Sequence, residues 1–358
     1  MKFVNRNSRP AFDRVWQQQL SDYVGAIAWS PRDPILAAAS ATGEVILYPI
    51  NGQPQVLNPP SGQPMDCIAF SQDGNFLAAG GQDGRLRLWH LPTTGDIPAV
   101  PTHSLPAHNW VEHLAWNPQH NWLAFNLGRY IQIWDATQQD LIATLDFEAS
   151  SVLCLTWHPD GQRLMAGGYQ GAKLWDSRAW QDDPYVAELA NVSVALAWSA
   201  DGQYLASGNM DRTITVLEWH NREPSPYPWV MQGFPGKIRH LAWGRPSSTG
   251  QAPPLASASV EGIVVWQRSA DPNVGWDGRL LEGHLAWVHG IAFQPRTQLL
   301  ASAAEDGMVG LWPHAQRLSA VLQGAPAGFS CLAWHPSGGY LAAGGQQGEL
   351  LLWSQRSI

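Results

Sequence analysis

Long apolar runs, cysteine and positive charge are all in short supply in this chain, and each shortage excludes something. No apolar stretch approaches the roughly 20 residues that a membrane-spanning helix needs, so no membrane insertion is expected. The opening residues Met1-Lys2-Phe3-Val4-Asn5-Arg6-Asn7 contain no apolar h-region, so no secretory signal is expected there. Three cysteines in 358 residues cannot build a disulfide framework. Lys and Arg number 21 against 29 Asp and Glu, a formal net charge of −8. That balance lacks the broad positive field that nucleic acid attracts, so nucleic acid is not an expected partner. A cytoplasmic protein is the simplest expectation.

Catalytic signatures are missing as well. There is no Gly-x-Ser-x-Gly elbow, no phosphate loop with Lys and Ser/Thr, and no His-Glu-x-x-His. The runs Gly80-Gly81-Gln82-Asp83-Gly84 and Gly344-Gly345-Gln346-Gln347-Gly348 are glycine-rich, but no helix follows to hold a phosphate. Neither an enzyme nor a cofactor is expected.

What is abundant is tryptophan, with 20 residues, and apolar residues in short regular bursts between Gly and Pro turns. An aromatic anchor, preceded by Ala or Thr, recurs at Trp29, Phe70, Trp116, Trp157, Trp198, Trp243, Phe293 and Trp334. The gaps are 41, 46, 41, 41, 45, 50 and 41 residues, a self-similarity that marks a repeat architecture. After Trp157 comes the turn His158-Pro159-Asp160-Gly161, then the burst Leu164-Met165-Ala166-Gly167-Gly168. A second glycine turn follows, and then a strand ending in Leu174-Trp175-Asp176. Other copies close on Tyr48, Trp89, Trp134, Leu217, Trp266, Trp312 and Trp353, and a fourth apolar stretch follows most of them.

This pattern resembles the WD-repeat family along residues 11 to 353. The resemblance implies an all-β, closed β-propeller of four-stranded antiparallel blades. The anchors count eight blades, with seven as the alternative. Among the third-strand closings only Trp134-Asp135 and Trp175-Asp176 are literal Trp-Asp pairs, and Gly283-His284 is the one literal Gly-His. The family's hydrogen-bonded tetrad is therefore expected in one blade, from His284, Ser302, Asp306 and Trp312, with apolar packing dominating elsewhere. Too few residues follow Trp353 for an outer strand. Residues 12–20, with Val15 and Leu20, are expected to supply it, which leaves residues 1–10 as a flexible segment before one propeller domain, 11–358.

The family also implies that positions six and four before each anchor face a partner. The candidates are Tyr23, Trp110, Glu112, Lys237, Arg239, Trp287 and His289. Trp and Arg recur at binding hot spots, and Lys237 with Arg239 suits an acidic segment on a partner protein. A scaffold or adaptor is the leading expectation. Longer connections at 90–102, 220–228, 244–254 and 267–278 offer a second surface. Three residues before the anchors stand Cys67, His113, Cys154, His240 and Cys331, where Ala26, Ala195 and Gly290 fill the other copies. A compact buried slot explains this choice. The alternative is metal handling through Cys67, His113 and Cys154, and a channel-lined enzyme is the third reading.

Overall fold

Each repeat folds into an antiparallel sheet, and there are eight such blades. The computed structural model describes residues 12–356, apart from 93–96, 98–99, 149, 188, 190, 221–222, 247–249, 261 and 272–273. The segment 1–10 lies outside the described residues. The chain divides into two compact units, Met1–Val24 with Gly233–Ile358, and Gly25–Gln232. No helix among the described residues is long and apolar enough to cross a membrane.

The second unit carries blades 1 to 5, each a meander in sequence order. The first strands of blades 2 to 5 are Met65–Phe70, Leu114–Trp116, Cys154–Trp157 and Ser193–Trp198. Their second strands, such as Phe76–Gly81 and Arg163–Gly168, are buried along nearly their whole length. That is why they read as continuous apolar bursts rather than an alternation, because both faces of the strand are covered. The core lies between successive blades rather than inside any one sheet. Leu77, Ala79 and Trp89 of blade 2 pack with Leu47 and Leu57 of blade 1, while Leu86 and Leu88 join Val111, Leu123 and Phe125 of blade 3.

Close approach dictates the small residues. A Cβ added at Gly80 would lie 2.5 Å from Val111 Cγ1 of the next blade, well inside van der Waals contact. The anchors bind the blades together in a second way. Trp116 Nε1 donates to Ala69 O at 3.0 Å and Trp157 Nε1 donates to Ala115 O at 3.0 Å. Each indole thus reaches the residue just before the preceding blade's anchor. Blade 5 departs from the pattern: its third strand Ile214–His220 pairs both with Trp229–Met231 and with the short strand Glu223–Pro224.

The first unit carries blades 6, 7 and 8, opening on His240–Trp243, Val288–Phe293 and Phe329–Trp334. The same anchor bond recurs from Trp334 Nε1 to Ala292 O at 3.1 Å. Blade 8 takes its outer strand from the N-terminal segment: Phe12–Gln19 pairs antiparallel with Glu349–Gln355. Phe12 is buried against Trp334, with ring centroids 5.6 Å apart, and Asp13 accepts a hydrogen bond from Arg356 Nε at 2.7 Å. Two details differ from the sequence expectation. Val15 sits at a bulge between Arg14 and Trp16 and is exposed. Leu20 lies just past the strand, yet it is buried and its N–H donates to Gly348 O at 2.8 Å. A bulge leaves one residue unpaired and turns its side chain away from the sheet.

Burial and exposure within this strand give a direct test. Phe12→Ala should lower the thermal unfolding midpoint, with a loss of about 3 kcal/mol, the range for truncating a buried Phe. Val15→Ala should stay within about 0.5 kcal/mol of wild type. Circular dichroism melts of the two variants measure both, and equal midpoints would mean the strand contributes nothing.

Candidate functional site

The residue five before each anchor is buried in every blade: Val24, Met65, Val111, Val152, Ser193, Ile238, Val288 and Phe329. Its neighbours are exposed on both sides in blades 3 and 6, as the two-residue period of extended chain dictates, whereas a bulge interrupts that period in blade 8 and Ser330 is buried. Backbone bonds pin these loops. Val111 N–H donates to Gly81 O at 3.0 Å, Val152 N–H to Gly128 O at 2.8 Å and Val288 N–H to Val260 O at 2.8 Å. The carbonyl one residue earlier accepts from the blade's own hairpin turn, as in Gln82 N–H to Pro64 O at 3.0 Å and Glu305 N–H to Trp287 O at 2.9 Å. Positions six and four before the anchor are therefore held on a rigid frame.

In blades 6 and 7 this frame presents Lys237 and Arg239 to solvent on either side of buried Ile238. Trp287 is 52% exposed and Leu285 75% exposed on the next loop. A groove of about 470 Å³ runs beside them, lined by Phe234, Pro235, Val264, Leu280 and Leu285, with Glu282 also at its wall. His289 is not free: its Nε2 lies 2.7 Å from Glu305 Oε1. Tyr23 is half-buried, and its hydroxyl is pushed above the usual tyrosine pKa by burial and then by the charges of Cys331 and Glu305.

In blade 3, Trp110 is 55% exposed and Glu112 is exposed. Both line a cavity of about 660 Å³ with Gln82, His108 and Asn109. The sequence reasoning named Trp110, Glu112, Lys237, Arg239 and Trp287. It missed Phe234, which lines the groove while buried, and Leu280 and Leu285, because an apolar residue in a strand or loop gives no sign of whether it is covered.

Beneath the blade 7 loop lies a buried polar chain. His284 Nδ1 is 2.9 Å from Asp306 Oδ2 and His284 Nε2 is 2.7 Å from Ser302 Oγ. Trp312 Nε1 donates to the same Ser302 Oγ at 2.8 Å. The backbone N–H of Leu285 also donates to Asp306 Oδ2, at 3.0 Å, so the chain fixes the loop that carries Trp287.

Comparison with known proteins decides the family. The family model "WD domain, G-beta repeat" matches residues 99–135, 139–176, 189–217, 276–313 and 316–354, together half of the chain. The chain belongs to the WD-repeat family. A second model, "Anaphase-promoting complex subunit 4 WD40 domain", matches residues 27–106. Among WD-repeat relatives, Periodic tryptophan protein 2 of Arabidopsis thaliana is 28% identical over 66% of this chain and 26% of its own length. THO complex subunit 3 of Arabidopsis thaliana is 22% identical over 68% of this chain and 61% of its own. Small ribosomal subunit protein RACK1 of Caenorhabditis elegans is 27% identical over 41% of this chain and 48% of its own. The chain spans less than two thirds of each of these relatives.

The WD-repeat tetrad degenerates in an orderly way. Its histidine stands nine residues before the anchor, where the other blades carry Leu20, Ser61, Ala107, Glu148, Leu189, Phe234 and Ala325. Blade 6 replaces the imidazole by Phe234, 5.7 Å from the Trp266 ring, and Trp266 Nε1 still donates to Ser257 Oγ at 3.1 Å. Blade 2 uses Arg87, which ion-pairs with Asp83 from the position that Gly310 leaves empty in blade 7. With Ala79 where blade 7 has Ser302, the buried Trp89 Nε1 and Arg87 Nη1 have no partner. Blade 5 keeps the serine as Ser207 but has Leu217 in place of the tryptophan, and the Ser207 hydroxyl donates to Asn209 Oδ1 at 2.8 Å, while Asn209 Nδ2 donates to Thr215 Oγ1 at 3.0 Å. Polar networks thus persist in several blades that the sequence assigned to apolar packing.

The slot three before the anchor is tightly enclosed. Cys67 Sγ donates to Val111 O at 3.2 Å and Cys154 Sγ to Ser193 O at 3.6 Å. Cys67 and Cys331 keep some exposed surface, but their sulfurs face protein carbonyls. Burial pushes all three thiols up, Cys154 to about 12 and Cys331 to about 11. Among the described residues no group of three His, Cys, Asp or Glu side chains could hold a metal, so Cys67, His113 and Cys154 do not come together as ligands. Burial lowers His113, and it drops His240 to about 4, with the charges of His289 and Arg239 acting in the same direction.

Two measurements follow from this slot. Thiols held this far above neutrality should react slowly with a disulfide reagent in folded protein and quickly in denaturant. Rapid labelling of all three without denaturant would contradict the enclosure. For His240, the unfolded chain binds a proton near pH 6.5 and the folded chain only near pH 4. Its stabilising contribution is present above pH 6.5 and is lost as pH falls toward 4, up to about 3 kcal/mol. Urea titrations should show this decline in wild type and a shallower one in His240→Ala, whose replacement matches Ala26 and Ala195 in the same slot.

Proposed function

We propose that this chain is a protein-interaction scaffold, and that its principal partner docks an acidic segment on the loops of blades 6 and 7. The observation that carries the reading is Trp287, 52% exposed on a loop whose backbone is bonded on both sides. A large aromatic ring carried on a fixed backbone has few torsions to lose on binding, which suits a hot spot. Lys237 and Arg239, without an ion pair among the described residues, set positive charge beside it in a chain of net charge −8. The groove beside Leu285 accepts an apolar side chain from the same segment. Membership of the WD-repeat family supports the scaffold role, as do relatives named as subunits of larger assemblies.

The test is affinity capture from native extract, followed by binding measurements with the partner recovered. Trp287→Ala should leave the melting profile unchanged while weakening binding by at least about 2 kcal/mol, roughly 30-fold in Kd. Lys237→Glu with Arg239→Glu should slow association and reduce its salt dependence. Unchanged affinity in all of these variants would move the docking site elsewhere.

A further inference from the structure

We propose that the cavity beside Trp110, formed by the loops of blades 2 and 3, is a second docking site that takes the arginine or lysine side chain of a partner protein. This site has its own residues and the opposite charge, and it stands apart from the reading for blades 6 and 7.

The loop that carries Trp110 is fixed at three points. Ala107 N–H donates to Gly84 O at 2.8 Å, Val111 N–H to Gly81 O at 3.0 Å and Glu112 N–H to Asn126 Oδ1 at 3.1 Å. Val111 between Trp110 and Glu112 is fully buried, so the two flanking side chains are directed outward together. The indole and the carboxylate both line the cavity of about 660 Å³. Glu112 makes no ion pair among the described residues, so its charge is available to a ligand.

A second carboxylate reinforces the sign. Asp66 holds in blade 2 the position that Glu112 holds in blade 3, four residues before the anchor. Gln82, which lines the cavity, donates to Asp66 Oδ1 at 3.5 Å. Burial and the charge of Glu112 both raise the Asp66 pKa, the Gln82 bond opposing them, so the two carboxyl groups sense each other. A cation held in the cavity beside Glu112 relieves that repulsion. The π face of an exposed tryptophan attracts the same cation, most strongly where water is partly displaced. Arg85 is the nearby positive group on the cavity wall, and its guanidinium is turned to Ser104 Oγ at 3.3 Å. An aromatic face with a free carboxylate, in a cavity large enough for one long side chain, is a receptor for a guanidinium or ammonium group.

The experiment uses the full chain labelled with ¹⁵N at tryptophan, with the Trp110 indole resonance assigned by its loss in Trp110→Phe. The probes are the capped peptides Ala-Arg-Ala and Ala-Lys-Ala, with capped Ala-Glu-Ala as control. At least one cationic peptide should shift the Trp110 resonance saturably, and the glutamate peptide should not. Glu112→Gln should weaken that titration at least about tenfold, since it removes the charge but keeps the shape. The Trp287 resonance should stay in place, which separates this result from the fate of the blade 6 and 7 reading. No saturable shift with either cationic peptide, an equal response to the glutamate peptide, or an unchanged titration in Glu112→Gln would overturn the proposal.

Discussion

The structure depends on how each blade is fastened to the one before it. No single sheet here has a core of its own, since the second strands are covered on both faces by neighbouring blades. Two contacts fix the spacing. The residue five before the anchor presses into a glycine or alanine of the preceding blade, as Val111 does at Gly80. The anchor indole then donates to the preceding blade's first strand, as Trp116, Trp157 and Trp334 do. Apolar contact supplies most of the stabilisation, being proportional to buried area and indifferent to direction. The indole bond adds direction, and so fixes the register of one sheet on the next.

The presentation of side chains to solvent is a by-product of this fastening. Because Val111, Ile238 and Val288 are driven inward, the residues on either side of each are driven outward. What those residues are is free to vary. One pair of blades offers Lys237, Arg239 and Trp287, and another offers Trp110 and Glu112, on the same backbone frame. A repeat of this type can therefore carry surfaces of opposite charge without altering its packing, which is how one fold serves unrelated partners.

Much of this was legible in the sequence because the aromatic anchors recur at near-constant spacing, and spacing in a repeat is set by blade geometry rather than by local propensity. The blade count, the four-strand pattern and the use of the N-terminal strand all follow from that register. What was hidden depends on pairs distant in sequence. His289 reads as an open ring until Glu305 is placed beside it. Arg87 gives no sign in the sequence of its ion pair, yet it bonds Asp83 as His284 bonds Asp306 in blade 7. The groove at Leu285 escaped notice because hydrophobicity signals burial in general, and only the fold reveals an exception.

The N-terminal strand of blade 8 has a consequence for how the chain reaches its native state. Phe12–Gln19 pairs with Glu349–Gln355, a segment that all the other blades separate from it in sequence, so its edge stays without a partner while those blades assemble. Contacts so remote in sequence form late, since the intervening chain must first be ordered. A waiting strand risks pairing with another molecule, and this one carries the means to discourage it. Asp13 and Arg14 place charges on it, Gln17, Gln18 and Gln19 keep much of it polar, and the bulge at Val15 interrupts its regular run of donors and acceptors. The same composition protects the outer edge of the finished blade, so a single sequence guards the nascent chain and the folded protein against self-association.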